Sequence, residues 1–183
     1  MEKKYKKLSA SRITISELML PSHTNFSGKI HGGYILMLMD QIAFAAASRY
    51  SGMYCVTASV DTVDFLNPIE VGELVTMKAS VNYVGKSSMV VGIRVTSENI
   101  QTGNIKHCNS SYFTMVAKDE NGNNSAVPRP EITSLEEVRR FHNAIKRIHL
   151  KREKDHHEEN FDHTTTDAFQ ALVDMNIKIS LKG

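Results

Sequence analysis

The sequence predicts an α+β fold: one long central helix wrapped by a curved antiparallel sheet, followed by a C-terminal helical extension. Three observations predict it. Residues 30–48, IHGGYILMLMDQIAFAAAS, carry apolar or small side chains at almost every position, the pattern of a helix buried all round. Four stretches rich in Val, Thr and aromatic residues follow, separated by short turn-forming breaks. Past a polar turn cluster and two prolines, residues 134–154 take up the period of a helix with one apolar stripe.

In chain order, residues 12–20 alternate as a short strand through Ile13 and Ile15, and Pro21-Ser22 ends it. The loop HTNFSG, residues 23–28, delivers the chain to the helix. The strand-like stretches 54–66, 74–83, 88–98 and 105–117 are broken at Asn67-Pro68, Val71-Gly72-Glu73, Gly85-Lys86 and Thr102-Gly103-Asn104. The short breaks between the last three favour antiparallel pairing. Such a sheet covers the helix on one side only, so a second copy is expected to complete the burial.

The turn cluster at residues 119–124, with Pro128 and Pro130, marks a boundary and divides the chain into residues 1–127 and an extension, 128–183. In the extension Ser134 and Glu137 form a capping box, and Leu135, Val138, Phe141, Ile145 and Ile148 form the stripe. Arg139, Arg140, Lys146, Arg147 and Lys151 occupy the other face. This basic amphipathic helix is expected to pack on its own or a neighbouring subunit. His156, His157, Glu158, Glu159, Asp162 and His163 lack the spacing of a zinc motif, so a solvated linker and no metal are expected there. Beyond it, Ala168, Leu172 and Met175 are helically spaced while Ile177, Ile179 and Leu181 alternate, as a docking segment would.

With 183 residues the chain can hold one domain with a core and an appendage. A net charge of +2 does not point to nucleic acid, and the basic helix has no second recognition helix beside it. No segment has the length of a membrane span, and the basic start MEKKYKKLSASR leads into an alternating segment, unlike a secretory signal; a cytoplasmic protein is expected. Cys55 and Cys108 fall in strand-like stretches as small apolar residues and make no disulfide framework.

Asp40 is the sole charged residue in 30–48. A carboxylate removed from water persists only if it is paired, hydrogen-bonded or used. Gly33 precedes it by seven residues, about two helical turns, so the two share a face. First-turn N–H groups lack intrahelical partners, and glycines let a ligand approach them closely, which makes Gly32-Gly33 a possible oxyanion site. Tight packing at the glycines with a satisfied core or interface carboxylate is the other reading. A G-x-S-x-G elbow is absent. Gly85-Lys86-Ser87 is not the end of a Walker A loop, because Ser80 stands where the first glycine is required and a strand follows. Lys86 is either a place for a charged ligand's head or an ordinary hairpin lysine.

Asn25, then His31-Gly32-Gly33, then Asp40, followed by VTASVDTVDFLNPIEVGE, VNYVGKSS and SENIQTGN, resembles the hotdog-fold acyl-CoA thioesterases. The likeness spans about residues 14–117 and is greatest to the branch holding the brain-type acyl-CoA hydrolase and its short bacterial relatives. It implies a hotdog fold in residues 1–127 and hydrolysis of acyl-CoA to a fatty acid and CoA, with no metal and no cofactor other than the CoA of the substrate. It implies that Asn25 and Asp40 come from opposite subunits of a dimer, with Asp40 as general base toward water, or alternatively as nucleophile. Asn25 would orient the water or the carbonyl, and the Gly33 N–H would stabilise the oxyanion. His31 and Gly32 would lie at the substrate. Gly85, Lys86, Ser87 and Ser88 would bind CoA, with Arg129 a further candidate. Asp61 and Asp64 also match; a strand would face them to opposite sides, one supporting the interface. Trimers of dimers, hence hexamers, are the implied assembly. Two other functions compete: a non-catalytic acyl-CoA-binding regulator, and a hotdog hydratase or dehydratase. The latter needs a close Asp/His or His/Glu pair, whose spacing His23 and His31 do not supply.

Overall fold

The structure, a computed structural model, describes residues 5–159. Its elements in order are β1 (Tyr5–Lys7), β2 (Ile13–Leu18), α1 (Gly32–Ser51), β3 (Tyr54–Val60), β4 (Glu73–Val84), β5 (Ser88–Asn99), β6 (Asn104–Lys118), β7 (Arg129–Glu131) and α2 (Leu135–Glu159). The expected docking segment of residues 168–181 lies outside the described residues, as do Asp162 and His163. Five strands form one curled antiparallel sheet in the order β2-β4-β5-β6-β3, and α1 packs across its inner face. The chain has the hotdog fold.

Strict alternation on the central strands builds the inner face. Val75, Met77, Ala79 and Val81 of β4, Met89, Val91, Ile93 and Val95 of β5, and Phe113, Met115 and Ala117 of β6 are all buried. Against them α1 sets Ile35, Leu38, Met39, Ile42, Ala43, Ala46, Ala47 and Tyr50, a helical stripe whose alanines let backbone and sheet approach closely. Register shifts at Val81/Tyr83, Val95/Thr96 and Thr57/Ser59 supply the bulges that bend a sheet round a helix. Gly52, with φ of 74°, closes α1 in the left-handed conformation. Lys6 then donates to the carbonyl oxygens of Arg49 (2.7 Å) and Tyr50 (2.8 Å). Lys6 is held there because β1 pairs in parallel with β7, a short ribbon that the sequence did not disclose.

Four expectations are corrected. The helix is not buried all round: Met37 (45% exposed), Asp40, Gln41 and Phe44 (39%) lie on an open stripe, because one sheet covers one side of a cylinder. The stretch 54–66 is a strand only to Val60; beyond it single bonds such as Leu66 N–H to Cys108 O (2.9 Å) replace the ladder, so strand alternation does not govern Asp61 and Asp64. In α2 the inward-facing line is Glu137, Phe141 and Ala144, whereas Leu135 is 88% exposed and Val138 is exposed as well. Charge pairing turns the helix that way. Buried Glu137 takes Arg12 (2.9 Å) and the Thr133 N–H (2.8 Å), while Ser134 Oγ accepts from the Glu137 N–H (3.2 Å). Phe141 lies on the Tyr83 ring, centroids 5.2 Å apart. Helix continues to Glu159, past residue 155 where a linker was expected to begin, in a run of good helix formers. Ala144 closes one compact unit and Ile145 opens a second. No helix among the described residues is long and apolar enough to cross a membrane.

One buried acid ties β4, β5 and β6. Glu73 accepts from Lys106 Nζ (2.8 Å), Ser97 Oγ (2.5 Å) and the Glu70 N–H (3.0 Å). Burial alone would raise its carboxyl, but these bonds outweigh it and hold the pKa below the ordinary 4.5. Their stabilisation is complete above that ordinary value and is lost as pH falls through the depressed one. Glu73→Gln should therefore cost about 2 kcal/mol near pH 7, and its deficit against wild type should close in acid. Urea unfolding of both proteins at about pH 7 and about pH 3 measures this; a pH-independent deficit would contradict it.

Candidate active site

Asp40 sits near the middle of α1, on the open stripe that begins at Gly33. The one hydrogen bond to its carboxylate among the described residues comes from β3: Thr57 Oγ1 donates to Oδ1 at 2.5 Å. Two positions before Thr57, on the same side of the strand, Cys55 is buried in the core, so alternation aims Thr57 toward α1. Thr57 is not legible in the sequence as a partner of Asp40. The alternation past Cys55 is the one signal for it, and that names a direction rather than a partner.

Asn25 occupies a tight loop closed by the bridge between Thr24 and Ile30. Its Oδ1 accepts from Ser27 N–H (2.9 Å), Ser27 Oγ (2.7 Å) and Lys29 N–H (3.2 Å). Three donors around one atom fix the amide's orientation and turn its Nδ2 outward, with no acceptor among the described residues. The loop is anchored at both ends. His31 N–H donates to His23 O (2.8 Å), and Ile30 N–H to Ile69 O (2.9 Å). The His23 ring stacks on Tyr34 at 3.9 Å, and the Tyr34 hydroxyl donates to Glu17, a bond that raises the phenol's pKa. Phe26, beside Asn25, is fully exposed.

The two glycines at the start of α1 have separate reasons. A Cβ on Gly32 would stand 3.2 Å from the Phe65 ring, so Gly32 makes room for an aromatic neighbour. A Cβ on Gly33 would stand 3.1 Å from His31 Nδ1, the atom that accepts the Gly33 N–H at 2.9 Å. His31 is thus the N-cap of α1, and the N–H expected to face an oxyanion is engaged by it.

The turn at Gly85 is fastened by Gly85 N–H to Ser88 O (2.8 Å), Ala117 N–H to Ser87 O (2.9 Å) and Val127 N–H to Lys86 O (3.1 Å). A Cβ on Gly85 would stand 2.9 Å from Ser88 Oγ. The Lys86 ammonium is exposed. Ala117 pairs with Cys55, just past the end of α1, so this turn lies at the end of the sheet where α1 finishes. Gly33 lies at the other end of a helix about 30 Å long. One protomer therefore joins Asp40 to Thr57 and Asn25 to the start of α1. It does not bring Lys86 to them, and Asn25 and Asp40 share no hydrogen bond. Arg129 is exposed on β7, Asp64 is exposed and Asp61 is half-buried. Among the described residues no group of three or more His, Cys, Asp or Glu gathers as a metal would require.

A model of the thioesterase superfamily matches residues 27–104. Protein VdlD of Helicobacter pylori is 45% identical over 141 residues, 77% of this chain and 80% of that protein. Among solved structures, an apo-hexameric acyl-CoA thioesterase is 35% identical with a TM-score of 0.80, over 83% of this chain and 97% of that one. An acyl-CoA hydrolase from Staphylococcus aureus, solved with butyryl-CoA, CoA and CoA disulfide, is 28% identical with a TM-score of 0.77, over 91% and 99%. It has also been solved with alanine in place of an aspartate, an asparagine and a threonine.

The cap makes a direct prediction. His31→Ala removes the acceptor of the Gly33 N–H and should lower stability by about 1 kcal/mol, whereas His31→Asp should retain most of it. Urea unfolding of the two variants decides; equal losses would mean that His31 acts through packing.

Proposed function

The chain belongs to the thioesterase superfamily, as an acyl-CoA thioester hydrolase of the hotdog fold, and on that premise we propose that Asp40 activates the attacking water. The observation that carries this reading is the bond from Thr57 to Asp40 on the open stripe of α1. It fixes one carboxylate oxygen and leaves the other directed at whatever occupies that face. In the Staphylococcus aureus hydrolase the substituted aspartate lies fifteen positions after the asparagine and seventeen before the threonine, and Asp40 stands at the same intervals between Asn25 and Thr57.

Water attacks the thioester carbonyl while Asp40 takes its proton; the C–S bond then breaks, and the thiol of CoA leaves with a proton returned from Asp40. Asn25 serves this step through Nδ2. Its Oδ1 is saturated by Ser27 and Lys29, so the amide donates, and its acceptor is the carbonyl oxygen as charge develops there. The Gly33 N–H joins as second donor when the carbonyl displaces His31 from it.

Asn25 comes from the opposite protomer, and the site is completed by a dimer. Two features support this: the open stripe of α1, and β3, an edge strand with Tyr54 and Val60 exposed. Pairing two β3 edges antiparallel makes one continuous sheet and sets two α1 helices side by side, reversed. That reversal carries the partner's Lys86 turn toward the start of α1, where it holds the phosphates of CoA. The hexameric relative supports a trimer of such dimers. Residues 1–127 form the hydrolase unit in this reading and the remainder an extension. The free thiols Cys55 and Cys108 suit a cytoplasmic protein.

Asp40→Asn should lower kcat by about 10²–10⁴-fold in a protein that keeps its oligomeric state. Thr57→Val, which removes one bond to a charged group, should cost about ten- to a hundredfold. Release of free CoA from acyl-CoA, read beside sedimentation, measures both, and near-wild-type turnover by soluble Asp40→Asn would refute the assignment.

Mixing is the sharper measurement of the shared site. Asn25→Ala and Asp40→Asn subunits, each inactive alone, form heterodimers with one doubly defective site and one intact site. Partial recovery of turnover is expected once mass spectrometry shows that subunits have exchanged. Exchange without recovery would place Asn25 and Asp40 in the same protomer's site.

A further inference from the structure

The outer face of the sheet, turned away from α1 and Asp40, carries a groove of about 750 Å³ beneath the first turns of α2. A row of paired residues crosses its floor: Thr14 opposite Lys78, Lys78 opposite Arg94, Arg94 opposite Ser110. Lys78 and Arg94 are exposed, directly opposed on neighbouring strands, and neither has an acid against it among the described residues. Like charges placed so repel, and nothing in the packing of the sheet requires them. Arg12, Arg139 and Arg140 line the same groove; Arg12 is paired with Glu137 (2.9 Å), and the other two meet one carboxylate, Glu136. Glu136 is shared by Arg139 (2.6 Å) and Arg140 (2.8 Å), so its single charge leaves the excess positive.

A second feature marks a built site. Asn82 is 6% exposed and lines the groove. Its Oδ1 accepts from Ser80 Oγ (3.1 Å), a hydroxyl that also accepts from Arg140 (3.1 Å), while its Nδ2 has no acceptor among the described residues. A Cβ on Gly92 would stand 2.2 Å from that Nδ2. The glycine therefore makes the space in which the amide lies over β5 and points its donor into the groove. A donor without a protein acceptor that faces a groove is free to bind an oxygen of a ligand.

We propose that this groove binds a small phosphate-bearing anion at a site separate from Asp40. The charged side chains Lys78 and Arg94, the guanidinium of Arg140 and the Asn82 Nδ2 are all donors, and converging donors with excess positive charge select an acceptor-rich polyanion. The volume is that of a small-molecule site, which runs at roughly 300–1,000 Å³. The sheet itself separates this groove from the inner face, so occupancy here leaves the thioester site open.

Titration calorimetry of the intact protein with inorganic pyrophosphate, in low salt and again with saturating CoA, tests this. One site per chain is expected, unchanged by CoA, weakened by added salt, and weakened by at least about tenfold in Lys78→Gln/Arg94→Gln. Both substituted residues are exposed, and sedimentation of the variant shows whether its assembly is intact. The proposal is overturned by absence of binding, by equal binding to the variant, by competition from CoA, or by a changed oligomeric state in the variant, which would make this face a contact between copies. The readout does not involve turnover, so failure here is distinct from failure of the Asp40 assignment.

Discussion

A helix of twenty residues that is apolar on nearly every side has more surface to bury than one sheet can cover. That mismatch governs the rest of the structure. The curled sheet takes the stripe from Ile35 to Tyr50, with three alanines drawing helix and strands together. It leaves a second stripe, in which Met37 and Phe44 flank Asp40, facing outward. The hydrophobic effect thus drives folding on one side of the helix, and on the other it would drive the association proposed above.

Placing the carboxylate on the side left for association has a chemical consequence. In a single chain Asp40 is solvated and held by one hydroxyl, Thr57. In the proposed dimer a partner closed over the stripe would exclude water from the carboxylate, and interactions there would strengthen as the local dielectric falls. The loop bearing Asn25 is made rigid in advance, by its own Oδ1 bonds and by the His23–Tyr34 stack, so the amide needs no reordering when a partner arrives.

The two faces of the sheet do different work. The inner face is a packed apolar surface whose demands fall on volume and alternation. The outer face is polar and basic, and the first turns of α2 are laid against it by an ion pair of exposed Arg12 with buried Glu137 and by the guanidinium of Arg140 on Ser80. These contacts rotate α2 away from the orientation its own apolar stripe suggests. Burying the Glu137 carboxylate would be costly with the Arg12 guanidinium as its only donor; the Thr133 N–H and hydroxyl complete the set.

Periodicity and turn chemistry depend on neighbours in the chain, and so the sequence by itself determined the α+β class, the order of the long elements, the hairpin breaks, and Asp40 as an isolated charge on the Gly33 face of α1. Likeness of short motifs extended this to the thioesterase family. The tertiary structure decided what depends on residues far apart. Thr57 reaches Asp40 across seventeen positions, His31 takes up the Gly33 N–H, β1 finds β7, and Glu137 turns α2 through Arg12. The outer basic row exists only because four strands come into register. Each of these is a choice among partners that local sequence makes equally available, and only the closed sheet, by fixing which strands and faces meet, selects one.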